Sequence, residues 1–96
     1  MINPFVSIDE QLHRHGWNKY YENGNGFRFV KMMGVDVRFL ADFNKYGIKF
    51  YDDPYLFRSI DVNEVTLKLF AAKIKEWRRQ NERNSKAGRH YRKKRS

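Results

Sequence analysis

The segment that begins at Ile60 constrains the fold of this chain more than any other. Asp61 and Glu64 have the spacing of a capping box, and Ile60 and Val65 that of a hydrophobic staple, so the sequence predicts a helix start here. Apolar residues then recur at helical spacing as far as about Trp77. Because such a helix must bury its apolar side against another element, we expect the preceding residues to cover it.

Two patterns earlier in the chain predict elements that can do so. Ser7 and Glu10 form a second capping-box pair, and Gly16 is placed to end a short helix in the left-handed conformation. The aromatic-rich runs WNKYYEN and FRFVKMM lie on either side of GNG. This arrangement predicts a β-hairpin, because Gly and Asn at residues 24–26 adopt the positive φ of a tight turn at little cost.

Residues 35–46 fit two interpretations. Apolar residues at 35, 37 and 39 alternate as in a strand. On a helix, the same stretch gathers its polar residues on one narrow stripe, with Asp36 as N-cap and Gly47 as the residue that ends it. The two caps favour the helix. The following IKFYD (48–52) predicts a strand, and Pro54 begins an irregular loop.

Together these elements predict the α+β class. We expect a small antiparallel sheet, made of the hairpin plus one strand, packed by two short helices and one long C-terminal helix. A chain of 96 residues, 41% of them hydrophobic, can bury one thin core. The sequence therefore predicts a single domain over residues 1–84, followed by a basic, disordered tail over residues 85–96.

Composition also excludes several classes of protein. The chain has no Cys, so disulfide bonds and thiolate metal sites are excluded. MINPFVSIDE lacks the basic and apolar regions of a secretory signal, and no apolar run approaches the roughly 18 residues of a membrane span. We expect a cytoplasmic protein that does not enter a membrane.

The charge of the chain is concentrated at one end. Residues 1–72 hold nine Lys or Arg and nine Asp or Glu, whereas residues 73–96 hold eleven Lys or Arg and two Glu. The last quarter of the chain therefore carries the whole net charge of +9. Such asymmetry predicts a polyanionic partner, because Lys and Arg that displace counterions from phosphates gain affinity without reading a sequence.

Histidines are the natural candidates for metal binding or acid–base chemistry. His13 and His15 are two residues apart on a predicted helix and so face different directions, and no third ligand has a suitable spacing. Solvated histidines are the simpler interpretation, and we expect no metal and no cofactor. Combined with His90 and Tyr91, the pair would form a toxin-like, metal-independent ribonuclease, which is the least favoured function.

Two short stretches resemble known families. NGFRFVKM (25–32) partly resembles the RNA-binding signature of RNA-recognition-motif domains, which implies bases stacked on Phe27 and Phe29; packing of both rings in the core is the favoured alternative. HGWNKYYENGNGFRF is similar to the opening helix–strand–strand of HicA-type toxins, in which a Gly-Trp pair follows a helix. The catalytic His of those toxins has no counterpart here, so this resemblance implies a shape without the nuclease chemistry.

The predicted function is that of a small, basic, non-enzymatic nucleic-acid-binding protein that prefers RNA. Arg makes bidentate contacts to phosphate, and aromatic residues among basic ones suit single-stranded nucleic acid. No helix-turn-helix or zinc-finger spacing favours DNA. The predicted binding residues lie on the long helix and the tail: Lys68, Lys75, Arg78, Arg79, Arg83, Lys86, Arg89, His90, Tyr91, Arg92, Lys93, Lys94 and Arg95.

The alternative is a small phage-type inhibitor or adaptor that binds a bacterial protein, for example a defence enzyme or a toxin. Such a protein would dock on an acidic surface through the aromatic residues of PYLF (54–57), and the basic tail would raise the association rate. The sequence leaves open whether the chain forms a homo-oligomer.

Overall fold

The chain forms a small α+β fold with a four-stranded antiparallel sheet and two helices. A computed structural model describes the backbone of residues 5–95 and the side chains of residues 5–82. The strands follow one another in the order β1-β2-β3-β4, and the last helix is C-terminal. The elements are α1 (Ile8–Arg14), β1 (Trp17–Asn23), β2 (Gly26–Met32), β3 (Arg38–Asn44), β4 (Gly47–Asp53) and α2 (Glu64–Arg95).

Helix α1 begins and ends where the sequence predicts. Ser7 is the N-cap, and its Oγ accepts a hydrogen bond from the Glu10 backbone N–H at 3.1 Å. Gly16 has a φ of 91°, the left-handed conformation expected after the helix. Trp17 follows Gly16 as the first residue of β1. It is 2% exposed and lies in the core.

The predicted hairpin is β1 and β2, joined by residues 24 and 25. Gly26 has a positive φ of 152°, and a Cβ atom there would overlap the carbonyl oxygen of Phe43 on the neighbouring strand. Only glycine fits this close approach. The register of β1 shifts between Lys19 and Tyr21, so β1 contains a β-bulge on an edge of the sheet.

The prediction of a helix over 35–46 is wrong, because these residues supply the strand β3. Every residue from Arg38 to Asn44 is paired with both β2 and β4. Because successive side chains of a strand point to opposite faces, Phe39, Ala41 and Phe43 all lie on the face that packs in the core. Strands on both sides of β3 hold these residues in place. The sheet therefore has four strands instead of the predicted three, and the fold has two helices instead of three.

Gly47, the residue expected to end that helix, has a different structural role. Gly47 does take a positive φ, of 124°, but it closes the hairpin turn between β3 and β4. In the same turn, Asn44 Oδ1 accepts a hydrogen bond from the Tyr46 backbone N–H at 2.8 Å. Asn and Gly residues end helices and form turns for the same conformational reasons, so the local pattern did not distinguish the two.

Both helices pack on one face of the sheet. Phe27 and Phe29 are fully buried there, and Phe29 makes an edge contact with Phe70 of α2, with ring centroids 5.5 Å apart. The predicted core packing of Phe27 and Phe29 is confirmed. Because neither ring reaches the surface, the interpretation in which they stack on bases is wrong.

Helix α2 begins later than the capping-box pattern indicates. Asn63 Oδ1 accepts a hydrogen bond from the Thr66 backbone N–H at 2.8 Å, so Asn63, not Asp61, caps the helix. The buried side of α2 then includes Leu69 and Phe70. Val65, which the staple spacing pairs with Ile60, is 49% exposed.

The backbone bounds of α2 extend through Arg95, into the segment predicted as a tail. Side chains beyond Glu82 lie outside the described residues, so the division into a domain over 1–84 and a disordered tail over 85–96 stays a prediction. Among the residues that the structure describes, no helix combines the length and apolar character needed to cross a membrane.

Candidate functional site

Helix α2 leaves the sheet at one end, which we name the turn end because it carries the β1–β2 and β3–β4 turns. Trp77 anchors the helix there. Its ring makes an edge contact with Phe43, with centroids 5.1 Å apart, and its Nε1–H donates to the Asn23 carbonyl oxygen at 2.8 Å. The predicted core contact of Trp77 is confirmed, although its ring is only half-buried.

Four of the predicted binding residues share the solvent side of α2. Lys68, Lys75, Arg78 and Arg79 are all exposed, and we name this set the basic face. Lys68 forms an ion pair with Glu64 at 3.4 Å, and the Arg78 guanidinium lies 5.9 Å from the Phe43 ring centroid. Within the described side chains, Lys75 and Arg79 have no carboxylate partner, so their charges are available to a ligand.

The other predicted binding residues are beyond the described side chains. Arg83 through Arg95 belong to the backbone span of α2. Their roles stay predictions: Arg83, Lys86, Arg89, His90, Tyr91, Arg92, Lys93, Lys94 and Arg95.

Lys73 is basic and lies on α2, yet it does not belong to the basic face. Its side chain is 3% exposed, and its Nζ lies 2.8 Å from Asp9 Oδ1 and 2.9 Å from Glu22 Oε1. Lys19 Nζ also contacts both acids, at 3.0 Å from Asp9 and 3.3 Å from Glu22. This cluster ties α1, β1 and α2 together, so the charge of Lys73 is neutralised inside the fold.

The pKa values in this cluster favour the charged forms. Burial alone would raise the pKa of the Asp9 carboxyl, but the ammonium groups of Lys73 and Lys19 hold it below its ordinary value. Burial alone would lower the pKa of Lys73, but its contacts with Asp9 and Glu22 raise it instead. The cluster is therefore a set of ion pairs held in their charged forms rather than a poised acid or base.

An acidic groove of about 570 Å³ runs along this flank of α2, beside Asn23 and Trp77. Three carboxylates and two ammonium groups line it, so its net charge is negative. We name this side, which faces α1 and β1, the acidic flank; its charged members are Asp9, Lys19, Glu22, Lys73 and Glu76. Both ammonium groups of the acidic flank are paired with carboxylates, so, unlike the basic face, it offers no unpaired positive charge to phosphate groups.

The face of the sheet opposite the helices carries a hydrogen-bonded network. Arg28 Nη2 donates to Asp42 Oδ2 at 2.8 Å, and the hydroxyl groups of Tyr51 and Tyr21 donate to the same carboxylate at 3.0 and 3.3 Å. Burial alone would raise the pKa of Asp42, but these three partners hold it below its ordinary value. All four groups are satisfied by one another, so the network stabilises the strands.

The opposite end of the sheet exposes apolar side chains. We name it the loop end because it carries the loops at 33–37 and 54–59. Phe57 is 84% exposed there, and Tyr55 and Leu56 are 50% and 56% exposed. Val35, in the other loop, is 94% exposed. The PYLF segment thus presents the aromatic surface that the alternative function requires.

The histidines at 13 and 15 are exposed, and His13 Nδ1 shares a hydrogen bond with Asn18 Oδ1 at 2.7 Å. Among the described residues, no group of three or more His, Cys, Asp or Glu side chains is placed to hold a metal ion. His90 and Tyr91 lie outside the described side chains, so the ribonuclease arrangement has no geometric support.

No family model, curated protein or solved structure matches this chain. The functional argument therefore rests on the geometry and electrostatics of its own residues.

Proposed function

We propose that this protein binds nucleic acid, with RNA preferred, through the basic face of α2 and the basic residues that follow it. The observation that supports this most is the separation of charge on α2. Lys75 and Arg79 are exposed without carboxylate partners among the described side chains, whereas the charge of Lys73 is neutralised by ion pairs with Asp9 and Glu22. Among the described side chains of α2, a phosphate backbone therefore finds unpaired positive charge on the basic face and none on the acidic flank.

A packed helix suits this role. Trp77 fixes α2 against Phe43 and Asn23, so the side chains of the basic face are carried on a rigid support. Charges held in place lose less conformational entropy on contact than charges on a flexible segment. Binding of this kind displaces counterions and reads no particular sequence, so the proposed activity is binding of modest sequence specificity that needs no catalytic group.

The test is a pair of matched charge reversals. Lys75→Glu with Arg79→Glu alters the basic face, and Arg14→Glu with Arg58→Glu makes the same change in net charge at two exposed sites elsewhere. We expect micromolar or tighter binding of a labelled single-stranded RNA by fluorescence anisotropy at about 50 mM salt, weakening steeply as salt rises. The first double variant should bind at least about tenfold more weakly, and the second less than about threefold.

Two results would contradict the proposal. Absence of binding by the unaltered protein at about 50 mM salt would remove it. Equal losses in the two double variants would mean that the chain acts as a diffuse polycation and that α2 has no special role. Circular dichroism of each variant checks that the fold is retained.

A second candidate function is favoured by the loop end. Phe57, Leu56 and Tyr55 are exposed together, as expected for the docking surface of a protein that inhibits or adapts a partner protein. Affinity capture from lysate, with and without nuclease, separates the two functions. Partners lost on RNase treatment support nucleic-acid binding, whereas one protein retained by the unaltered chain and lost with Phe57→Ser supports the second candidate.

A further inference from the structure

Tyr46 is an aromatic residue for which the fold gives no structural role. It is 86% exposed, in the turn between β3 and β4, and the Lys45 ammonium lies 5.1 Å from its ring centroid. The turn itself is well defined, because Asn44 Oδ1 accepts a hydrogen bond from the Tyr46 backbone N–H and Gly47 supplies the positive φ. A large ring is thus presented to solvent on a rigid support.

This turn lies beside the basic face. The Arg78 guanidinium is 5.9 Å from the ring centroid of Phe43, and Tyr46 follows Phe43 by only three residues. Three residues of chain span at most about 10 Å. Lys45 and Arg78 therefore bring positive charge to the same end of the sheet, on the side of α2 that faces β3.

The other side of α2 attracts phosphates less than the basic face does, because its two lysines are paired with carboxylates. Glu76, Asp9 and Glu22 make the acidic flank net negative, and that flank faces β1 and α1. A nucleic-acid strand that contacts the basic face at the turn end is therefore directed toward β3 and β4, where Tyr46 lies.

We propose that Tyr46 stacks on a base of a single-stranded nucleic acid whose phosphates contact Arg78, Arg79 and Lys45. This inference rests on the proposed function and adds to it a stacking site and a preference for unpaired bases. Stacking on an exposed aromatic ring tolerates any base, because every base has a π-face. Duplex nucleic acid, whose bases are already stacked, gains nothing from Tyr46.

The chain contains a matched control for this residue. Tyr55 is 50% exposed and has its own cationic partner, since the Arg58 guanidinium lies 4.8 Å from its ring centroid. It lies at the loop end, away from the turn end of the sheet. Loss of Tyr55 removes an equivalent exposed ring without touching the proposed site.

The experiment compares two RNA probes of equal length, about 12 nucleotides: an oligouridylate and a strand of abasic ribose-phosphates. Affinities for both are measured with the full chain, Tyr46→Ala, Tyr46→Phe and Tyr55→Ala. We expect Tyr46→Ala to weaken oligouridylate binding at least about fivefold, the loss of one stacked base, and to leave abasic binding unchanged. Tyr46→Phe and Tyr55→Ala should bind both probes as the unaltered chain does.

Each contrary result has a distinct meaning. If Tyr46→Ala keeps full affinity for oligouridylate while Lys75→Glu with Arg79→Glu loses it, the stacking site is refuted and the proposed function stands. Equal losses of Tyr46→Ala on both probes also refute stacking. If the unaltered chain binds neither probe, the proposed function itself fails, and the stacking site with it.

Discussion

Lys73 and Lys75 are two residues apart on one helix, yet their surroundings are opposite. Lys73 lies on the acidic flank, 3% exposed, with its ammonium group shared between Asp9 and Glu22. Lys75 lies on the basic face, exposed and without a carboxylate partner among the described side chains. The comparison teaches that a count of basic residues overstates the charge available to a ligand, because some of it neutralises acids within the fold.

Lys73→Ala gives the largest expected effect. Removing Lys73 leaves Asp9 and Glu22 with only Lys19, and breaking a buried ion pair from one side is strongly destabilising. We expect the free energy of unfolding to fall by about 3 kcal/mol. Lys75→Ala should change it by about 0.5 kcal/mol or less, as solvated positions usually do. Urea unfolding measures the free energy of unfolding of both variants. Equal losses in Lys73→Ala and Lys75→Ala would contradict the distinction between the two residues.

Trp77→Ala tests the residue between the two sides of α2. The substitution removes the ring contact with Phe43 and the hydrogen bond to the Asn23 carbonyl. We expect a loss of about 2 to 3 kcal/mol in the free energy of unfolding, below the value for a fully buried Trp because the ring is half-buried. Trp77→Phe, which keeps a ring, should lose about half as much. A variant that unfolds like the unaltered chain but no longer binds RNA would show Trp77 to be a stacking residue instead.

Acid gives the smallest effect and acts on the acidic flank. The pKa of Asp9 is lowered in the folded chain, so the stabilisation from its ionised form is complete above the ordinary value of 3.8 and is lost as pH falls through the folded value. We expect the stability of the unaltered chain to decline from about pH 5 downward. Asp9→Asn should be less stable at neutral pH and decline less steeply, so the two curves should converge in acid. Parallel curves would show that Asp9 does not carry this dependence. Asp42, whose pKa is also lowered, contributes in the same direction.

The fold could be predicted where short-range patterns decide it. Ser7 and Gly16 fix the ends of α1 through hydrogen bonds and φ values that depend on neighbours a few residues away. The strand β3 could not be identified in this way. Asp36 and Gly47 are of residue types that occur in turns as well as at helix ends. The stability of β3 comes from pairing with β2 and β4, and a local sequence pattern contains no information about that pairing.

The candidate site, like the fold, could be predicted from the sequence only in part. Helical spacing alone predicts that Lys75 and Arg79 share an exposed side, as they do. The burial of Lys73 depends on Glu22, 51 residues away in sequence, so no spacing rule reveals it. Tyr46 was missed because the helical interpretation of 35–46 assigned it to an apolar side. Read as a hairpin turn, NKYG would have indicated that its Tyr faces solvent.

The β-bulge between Lys19 and Tyr21 has a consequence for self-association. An unpaired edge strand is a template on which further copies of a chain can add strands and polymerise. In β1 the bulge interrupts that template, and Lys19 places a charge beside it. At the other edge, Ser59 bridges Tyr51 and the Ile60 N–H donates to the Phe50 carbonyl, so this part of β4 is already paired. Within the described residues, neither edge of the sheet therefore offers an uninterrupted backbone ladder to a second copy.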